Sequence, residues 1–279
     1  MTPARIAELL QPFLDTPHQS PKTPRHSEPR RRLGGEPDLL SPALLHNIST
    51  YIDILLRWNA RVNLTAVRVP EEIVTRHFGE SLFAARHLFP YTSHVGTALD
   101  DVKGTSQRGA LQSGRAALQR REKDCKEEGP SGPEAIGQQP SDGTAVADLG
   151  SGAGFPGLPI KLWAPHISLT LIESNHKKAT FLREVTRALT LTDVNIQNVR
   201  AETLPAGGFS VVTLRAVERF ATILPAAAAL LAPGGRLTLL IGSAQADPVT
   251  STLPNLLWST PEPIPLSLSR VLLIGQRSH

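Results

Sequence analysis

The chain has 279 residues, 40% of them hydrophobic, which is enough for a real core, while its 24 prolines and 21 glycines indicate long irregular stretches. The formal net charge of +4 is a mild basic excess that permits a polyanionic partner without requiring one. The single cysteine, Cys125, excludes an internal disulfide and favours a reducing compartment, and no stretch has the pattern of a signal peptide or a membrane span. We therefore expect a cytoplasmic protein without a membrane partner.

Residues 1–40 are predicted to form a short helix and a disordered arm. Met1–Leu14 carries Arg5 and Glu8 among apolar positions, as an amphipathic helix does. Asp15–Pro37 contains five prolines, the basic run Arg30–Arg32 and almost no apolar residues, so it cannot bury enough surface to fold. Because three arginines form only a weak patch, a solvated linker is favoured over an arm for nucleic acid.

Residues 41–96 are predicted to form a cap of two helices. Ser41 is a typical N-cap, Pro42 is a preferred first helical residue, and apolar residues at helical spacing extend the first helix to Trp58. After a polar break, the second helix is expected to run from Glu71 to about Leu88.

Residues 97–143 differ in composition from both neighbouring regions. This segment is rich in Gly, Ser, Gln and charged residues of both signs, with almost no aromatic residues and no apolar period. Such a segment buries too little apolar surface to offset its ordering entropy, so we expect a flexible insertion. Cys125 lies inside it and is predicted to be exposed and non-catalytic.

Residues 144–279 alternate between short apolar runs and helical patterns, which is typical of an α/β fold with a parallel sheet covered on both faces. Helices are expected up to Trp163, over Lys177–Leu189 and over Arg219–Leu231. The predicted strands are Ala145–Leu149, Ser168–Ile172, Val194–Gln197, Ser210–Leu214, Arg236–Ile241 and two late strands near Ile264–Leu268 and Arg270–Ile274.

The stretch from Ala145 to Pro159 reads AVADLGSGAGFPGLP and joins the first predicted strand to a helix through four glycines. Glycine supplies the positive φ angles of a tight turn and removes side chains where a ligand approaches the backbone. Gly152, Gly154 and Gly157 also satisfy G-x-G-x-x-G, the dinucleotide fingerprint, which alone is a weak signal. A glycine-rich turn that binds nothing is the least favoured interpretation.

Two prolines in this stretch favour a cofactor without phosphates. A pyrophosphate binds free N–H groups at a helix N-terminus, and Pro156 and Pro159 each remove one such donor. S-adenosylmethionine does not need these donors, and Asp148, on the strand before the glycines, suits a ligand with an ammonium group. The residues alone leave both cofactors open and favour S-adenosylmethionine.

Ligands of open α/β sheets bind beyond the carboxyl ends of the strands, so the polar residues there are informative. Glu173 ends the second strand, where a carboxylate can accept both ribose hydroxyls of either cofactor. Ala201 and Glu202 follow the third strand, where adenine edges are commonly met. The basic residues nearby form either a rim for phosphates or ordinary solvated charge. They are Lys177, Arg200, Arg215 and Arg270, of which all but Arg270 follow strand ends.

Motifs of hydrolytic chemistry and metal binding are missing from the sequence, which has no H-E-x-x-H, no cysteine cluster and no G-x-S-x-G. His77 and His87 fall on the second cap helix, and each is more often a packed or solvated histidine than a catalyst. We therefore predict no metal site.

The glycine-rich stretch resembles D-x-G-[ST]-G-x-G-[FL]-P-G-[IL]-P, the signature of the small-subunit rRNA guanine-N7 methyltransferase G family, also called glucose-inhibited division protein B. Other stretches resemble the family's W-N-x-x-x-N-L-T, R-H-x-x-D-S, D-S-x-x-K-R-x-x-F-L, R-x-E and S-R-A segments. In this order, the six stretches are Asp148–Pro159, Arg57–Val67, Arg76–Ser81, Glu173–Arg183, Arg200–Glu202 and Leu214–Val217. The combination is specific, although no single piece is.

The resemblance implies a Rossmann-like class I S-adenosylmethionine-dependent methyltransferase sheet with an N-terminal helical cap. Its implied reaction is methylation of N7 of a guanosine in 16S rRNA of the small ribosomal subunit. Separately, we expect a monomer without a metal. Arg215 is the expected catalytic residue, which positions the target nucleotide beside the cofactor. With the residues of the glycine-rich stretch included, the expected cofactor contacts are Asp148, Gly150, Gly152, Gly154, Phe155, Glu173, Ser174, Asn175, Ala201, Glu202 and Arg215. The expected RNA contacts are Lys177, Arg200, Arg215 and Arg270.

Three features depart from the family pattern. Glu80 replaces the usual Asp and keeps its charge, Ile241 stands where related sequences often carry a lysine for RNA, and residues 97–143 have no counterpart. Two other classes stay open, namely a methyltransferase of a small molecule or protein and a non-enzymatic Rossmann-like binding protein. Since N7 of neutral guanine already presents a lone pair, the implied reaction requires no general base.

Overall fold

The computed structural model describes residues 1–15, 39–90, 143–215 and 220–279. The predictions for the basic arm, for residues 97–142 with Cys125, and for Ala216 and Val217 lie outside these ranges. Within them, no helix is both long enough and apolar enough to cross a bilayer.

A mostly parallel sheet forms the centre of the fold. Its parallel strands, in the order β3-β2-β1-β4-β5, are β1 (Ala145–Leu149), β2 (Ser168–Ile172), β3 (Val194–Gln197), β4 (Phe209–Arg215) and β5 (Leu231–Gly242). Three antiparallel strands follow at one side, where β8 (Arg270–Arg277) pairs with β5 and also with β6 (Leu256–Trp258) and β7 (Glu262–Pro263). Because β1 lies between β2 and β4, the turn after it is the topological switch point, where open α/β sheets bind ligands.

Successive side chains of a strand point to opposite faces, so each strand contributes to two cores. Val146 and Val211 belong to the core under one layer of helices, whereas Ala147 and Val212 belong to the core on the other face. The first layer contains α1 (Pro3–Leu14), α2 (Pro42–Asn59), α4 (Glu80–Leu88), α5 (Gly157–Trp163) and α6 (His176–Ala188). The opposite layer contains α7 (Phe220–Leu230) and α8 (Ala246–Thr252).

The second cap helix is interrupted by a wider turn. It consists of α3 (Pro70–Ile73), a π-helical turn (Val74–Gly79) and α4. A Cβ on Gly79 would lie 2.4 Å from the Phe13 ring, so glycine here lets α1 pack closely against this turn. Single π-helical turns are frequent at functional sites, and this one carries His77 and ends directly before Glu80.

The predicted strand at Ile264–Leu268 is wrong. Ile264 is buried, but the chain then turns, and Leu266 has a φ angle of +59°. The alternation of apolar and polar residues suggested a strand, yet Leu266 and Leu268 face solvent, because no described residue covers them. The places beside β8 are taken by β6 and β7.

Two smaller differences concern β5 and α8. β5 begins at Leu231, five residues before the predicted start at Arg236, and its register with β4 shifts between Phe209 and Val211. The helix α8 was not expected from the sequence.

Candidate functional site

The turn after β1 has the backbone conformation that its glycines predicted. Gly150, Gly152 and Gly154 have φ angles of +66°, +55° and +84°, in the region that residues with a Cβ avoid. A Cβ on Gly152 would meet only the carbonyl oxygen of Gly150, at 3.6 Å. This turn, the glycine loop (residues 150–156), thus presents bare backbone at the carboxyl end of β1.

Asp148 holds the glycine loop from inside the fold. Its side chain is fully buried, and its oxygens accept hydrogen bonds from the Gly157 N–H at 3.2 Å and from the Thr213 hydroxyl at 2.8 Å. Burial raises the pKa of Asp148 to about 6, although both hydrogen bonds oppose the rise. Asp148 therefore exposes no carboxylate oxygen for the expected contact with the ammonium group of a ligand.

Glu173 follows β2 and reaches the glycine loop. Its Oε2 accepts a hydrogen bond from the Gly152 N–H at 2.9 Å, and its Oε1 accepts one from the Asn175 N–H at 2.7 Å. Since each carboxylate oxygen has two lone pairs, both oxygens can still accept a ribose hydroxyl. Ser174 is exposed, and the Asn175 side chain caps α6 by accepting from the N–H of Lys177.

The remaining residues expected at this edge lie along its rim. Ala201 is buried in a 3-10 turn (Ala201–Thr203) after β3, whereas Glu202, Arg200 and Lys177 are exposed. Within the described ranges, no hydrogen bond or ion pair joins these three charged residues to the arginines at the ends of β4 and β8. Their roles toward cofactor and RNA stay predictions.

Phe155 connects the glycine loop to the helical layer. Its ring stacks on Tyr51 of α2 with centroids 5.3 Å apart, stacks on the imidazole of His77 at 4.8 Å and meets Phe78 edge-on at 5.1 Å. The Tyr51 hydroxyl also donates a hydrogen bond to the Ala153 carbonyl. The cap helices therefore support the loop from one side through aromatic packing.

His77 has a role that sequence reasoning missed, since it was weighed as a packed or solvated histidine. Its Nδ1 lies 3.0 Å from Nη1 of Arg215, and its Nε2 lies 2.7 Å from Oγ1 of Thr65. A guanidinium only donates, so Nδ1 is the acceptor and the ring proton sits on Nε2. Burial, and after it the charge of Arg215, lowers the pKa of His77 to about 3. The ring is therefore neutral at pH 7.

Arg215, the last residue of β4, belongs to a buried ion cluster. Its Nε and Nη2 donate to Oε2 of Glu80 at 3.2 and 3.1 Å, and Nη2 also donates to the Arg76 carbonyl. Nε of Arg270 lies 3.0 Å from the same Glu80 oxygen without the direction of a hydrogen bond. We call Glu80, Arg215 and Arg270 the arginine cluster. It contains two positive charges and one negative charge.

The contacts of the arginine cluster limit what Arg215 can do. Arg215 donates two hydrogen bonds to Glu80, one to the Arg76 carbonyl and one to the imidazole of His77, so four of its five guanidinium N–H groups are used inside the protein. Burial lowers the pKa of Arg215, and the Glu80 carboxylate opposes this by raising it. Only one N–H group of Arg215 remains for a contact with a nucleotide. The main observed role of Arg215 is therefore to join β4 to the π-helical turn.

Asn59 and Thr65 are further residues that sequence reasoning did not assign to the site. Oδ1 of Asn59 accepts from the N–H groups of Leu64 and Thr65 at 2.9 and 3.0 Å, and its Nδ2 donates to the Thr65 carbonyl at 2.9 Å. This arrangement fixes the Thr65 hydroxyl against His77. The only sequence signal was the W-N-x-x-x-N-L-T pattern.

The N-terminus of α5 tests which cofactor the site fits. The Gly157 N–H is bonded to Asp148, the Leu158 N–H is bonded to the Gly154 carbonyl, and Pro159 has none. No N–H of these three residues is left for a pyrophosphate, whereas the open backbone and the Glu173 carboxylate suit an adenosine without phosphates. With an antiparallel strand beside β5, this fold and site define a class I S-adenosylmethionine-dependent methyltransferase.

Comparison with known proteins identifies the family. A model described as GidB, rRNA small subunit methyltransferase G, matches residues 44–100 and 135–258. Two relatives are named ribosomal RNA small subunit methyltransferase G. That of Halorhodospira halophila is 35% identical and aligns over 74% of this chain and 72% of its own. That of Stenotrophomonas maltophilia is 32% identical and aligns over 85% of this chain and 86% of its own.

The chain belongs to the rRNA small subunit methyltransferase G family, so the expected resemblance is confirmed. It is accordingly an enzyme that methylates rRNA of the small ribosomal subunit with S-adenosylmethionine as its cofactor. Within the described residues there is no group of three or more His, Cys, Asp or Glu that could hold a metal ion.

Proposed function

We propose that the chain methylates N7 of a guanosine in 16S rRNA. The observation that carries this proposal is the state of His77, the imidazole beside the glycine loop. It is neutral, buried and engaged through both nitrogens, so it has no free lone pair to take a proton from a substrate. N7 of neutral guanine carries a lone pair and no proton, whereas a hydroxyl or an exocyclic amine loses a proton on methylation. The site therefore suits a ring nitrogen that carries a lone pair and no proton, and the family resemblance selects guanine N7 among such acceptors.

Carboxylates near the glycine loop are equally unsuited to general-base work. Asp148 is buried with both oxygens bonded, and Glu80 is paired with Arg215 and Arg270. Glu173 accepts backbone hydrogen bonds from Gly152 and Asn175, which hold its carboxylate against the glycine loop, where we assign it to the cofactor. Catalysis then consists mainly of alignment and exclusion of water.

The bound cofactor supplies an electrophilic methyl group on a sulfonium. The glycine loop, supported by the stacking of Phe155 on His77, and Glu173 would hold it, and Arg215 would orient the target nucleotide through its remaining N–H. N7 faces the deep, narrow major groove of A-form RNA, so the target guanosine is unpaired or flipped out of the stack.

RNA phosphates contact the basic rim of this edge, formed by Lys177, Arg200 and Arg270. The net charge of +4 suits such a partner. We expect the enzyme to act as a cytoplasmic monomer on 16S rRNA, either free or within the small subunit.

The direct test uses purified protein, methyl-labelled S-adenosylmethionine, and small-subunit rRNA either free or assembled. Digestion to nucleosides should place the label in 7-methylguanosine, and rRNA affinity should fall with rising salt. The pH profile of the methylation rate should show no rise near the ordinary pKa of histidine. A base limb near neutral pH that disappears when His77 is replaced would contradict the proposal, as would label in another nucleoside or in protein.

A further inference from the structure

A loop between β7 and β8 carries two leucines that the candidate site does not use. Leu266 is 70% exposed and Leu268 is fully exposed. The loop itself is held together, since the Ile264 N–H donates to the Arg270 carbonyl at 3.0 Å, and the Ser267 hydroxyl accepts from the Arg270 N–H at 3.2 Å. The two leucines therefore project from a turn that is fixed by hydrogen bonds at its base.

The sheet register places this loop at the carboxyl edge of the parallel strands. Arg270, which follows the loop, pairs with Gly242 at the end of β5, and Arg215 at the end of β4 pairs with Leu240 of β5. Nε of Arg270 lies 3.0 Å from the Glu80 oxygen that Arg215 also contacts. The exposed leucines thus lie two and four residues along the chain from a member of the arginine cluster.

The backbone of Leu266 is unusual for its residue type. Its φ angle of +59° falls in the left-handed region, which glycine and asparagine occupy far more readily than leucine. A polar residue would suit both the solvent exposure and the turn. Strained residues of this kind persist mainly at functional sites. Turn geometry alone therefore does not explain a leucine at this position.

We propose that Leu266 and Leu268 form a wedge that enters the base stack of the RNA beside the target guanosine. The proposal rests on the function proposed above, because N7 methylation within folded RNA requires the guanosine to leave its stack. Apolar side chains inserted between bases are a general means of unstacking a nucleic acid, and they fill the space that the extruded base vacates.

RNA is the occupant that the charges favour. The arginine cluster beside the wedge has an excess positive charge, because Arg215 and Arg270 share the single carboxylate of Glu80. Phosphates that flank an opened base step would meet this charge while the leucines meet the bases. A docking site for an apolar protein surface would have no use for the adjoining guanidinium groups.

The test compares Leu266→Asn, Leu268→Asn and their double variant with Leu257→Asn. Asparagine tolerates the left-handed conformation, so the variants are expected to keep the fold. Leu257 is a matched control: it is 71% exposed on β6, where it pairs with Gln276. Gln276 pairs with Arg236, which in turn pairs with Val211 near the beginning of β4. It therefore lies at the end of the sheet opposite to the cofactor.

Two substrates separate a wedge from a simple contact. One is folded small-subunit rRNA without proteins, and the other is a short unstructured RNA that spans the methylated guanosine. The double variant should lose about tenfold or more in kcat/KM on the folded rRNA, because apolar contacts no longer offset the cost of unstacking the bases, and less than about threefold on the short RNA. Leu257→Asn should match wild type on both, and S-adenosylmethionine affinity and melting temperature should be the same in all variants.

Equal losses on the two RNAs would contradict the wedge, and so would wild-type rates of the double variant on folded rRNA. Normal methylation of naked rRNA with impaired methylation of the small subunit would instead mean that the leucines dock on a ribosomal protein, which also overturns the proposal. If the wild-type chain itself methylates neither RNA, the function proposed above fails first.

Discussion

Replacing Arg215 by methionine tests how the cap helices are fixed to the sheet. The guanidinium donates two hydrogen bonds to Glu80, one to His77 and one to the Arg76 carbonyl, and its side chain is only 10% exposed. Methionine has a similar volume but can donate none of them. Among the described residues, the variant therefore leaves a buried carboxylate with the poorly directed Arg270 as its only cationic partner and leaves Nδ1 of His77 without a donor.

The expected loss of stability follows from these contacts. Removing one partner of a buried ion pair costs about 3–5 kcal/mol. The penalty for the unpaired imidazole nitrogen overlaps with this figure, because one guanidinium supplies both interactions. We expect a decrease of about 4 kcal/mol in the free energy of unfolding, which is a large part of the roughly 5–15 kcal/mol typical of a folded domain. Activity of this variant must therefore be measured at low temperature.

Urea denaturation at pH 7.5 measures the loss in Arg215→Met, in Glu80→Leu and in the double variant. The double variant no longer contains a buried carboxylate without its partner, so its loss should be smaller than the sum of the single losses by about 2 kcal/mol. A loss below about 1 kcal/mol for Arg215→Met, or strictly additive losses, would refute the description of a buried and coupled cluster.

Three further predictions concern the glycine loop. Gly152→Val should abolish S-adenosylmethionine binding in calorimetry, because its side chain fills the open side of the loop and resists a φ angle of +55°. Gly207→Val, at +76° and with free space around an added Cβ, should bind normally; equal losses would contradict a ligand at the loop. Asp148→Asn should change the pH dependence of unfolding. The native pKa of about 6 exceeds the ordinary value of 3.8, so between these two pH values the native state retains a proton that the unfolded chain releases. The free energy of unfolding of the wild type should therefore fall by about 3 kcal/mol as the pH rises from 3.8 to about 6. Parallel pH profiles of wild type and variant, from urea denaturation, would show that this carboxyl does not titrate there. Tyr51→Phe should cost about 1 kcal/mol through the lost hydrogen bond to Ala153, and an unchanged melting temperature would show that this bond contributes nothing.

Much of the fold could be predicted because it depends on local chemistry. The glycines after β1 require positive φ angles, and three of them have such angles. Glu173 was expected at the end of the second strand and directly follows β2; its contact with the Gly152 N–H was not predicted. Short runs of four to six residues predicted the parallel strands within one or two residues of their ends, apart from the beginning of β5.

The partners of His77 and Glu80 could not be predicted from periodicity. Their contacts with Arg215 join residues that are 138 and 135 positions apart in the chain, and a helical pattern indicates only which side of a helix is buried. The family resemblance marked both positions as part of a motif but did not say what they contact. A buried charge of either sign has to find a partner, and that partner is set by tertiary structure.

The strand predicted at Ile264–Leu268 failed for a different physical reason. Alternation of apolar and polar residues predicts a strand only if something covers the apolar face. Ile264 is covered, but no described residue covers Leu266 or Leu268, and Pro265, between Ile264 and Leu266, removes a backbone donor. The same exposure that makes this prediction wrong is the basis of the wedge proposal.

The most direct measurement of the central claim is a map of 7-methylguanosine in small-subunit rRNA. The rRNA is isolated from cells that carry the gene, from cells that lack it, and from deletion cells that express either the wild-type chain or Gly152→Val. N7-methylated positions are detected by chemical cleavage of the RNA at that base. We predict one cleavage site that disappears on deletion and returns with the wild-type chain but not with Gly152→Val. Identical maps in all four strains would contradict the assignment of N7 methylation to this protein.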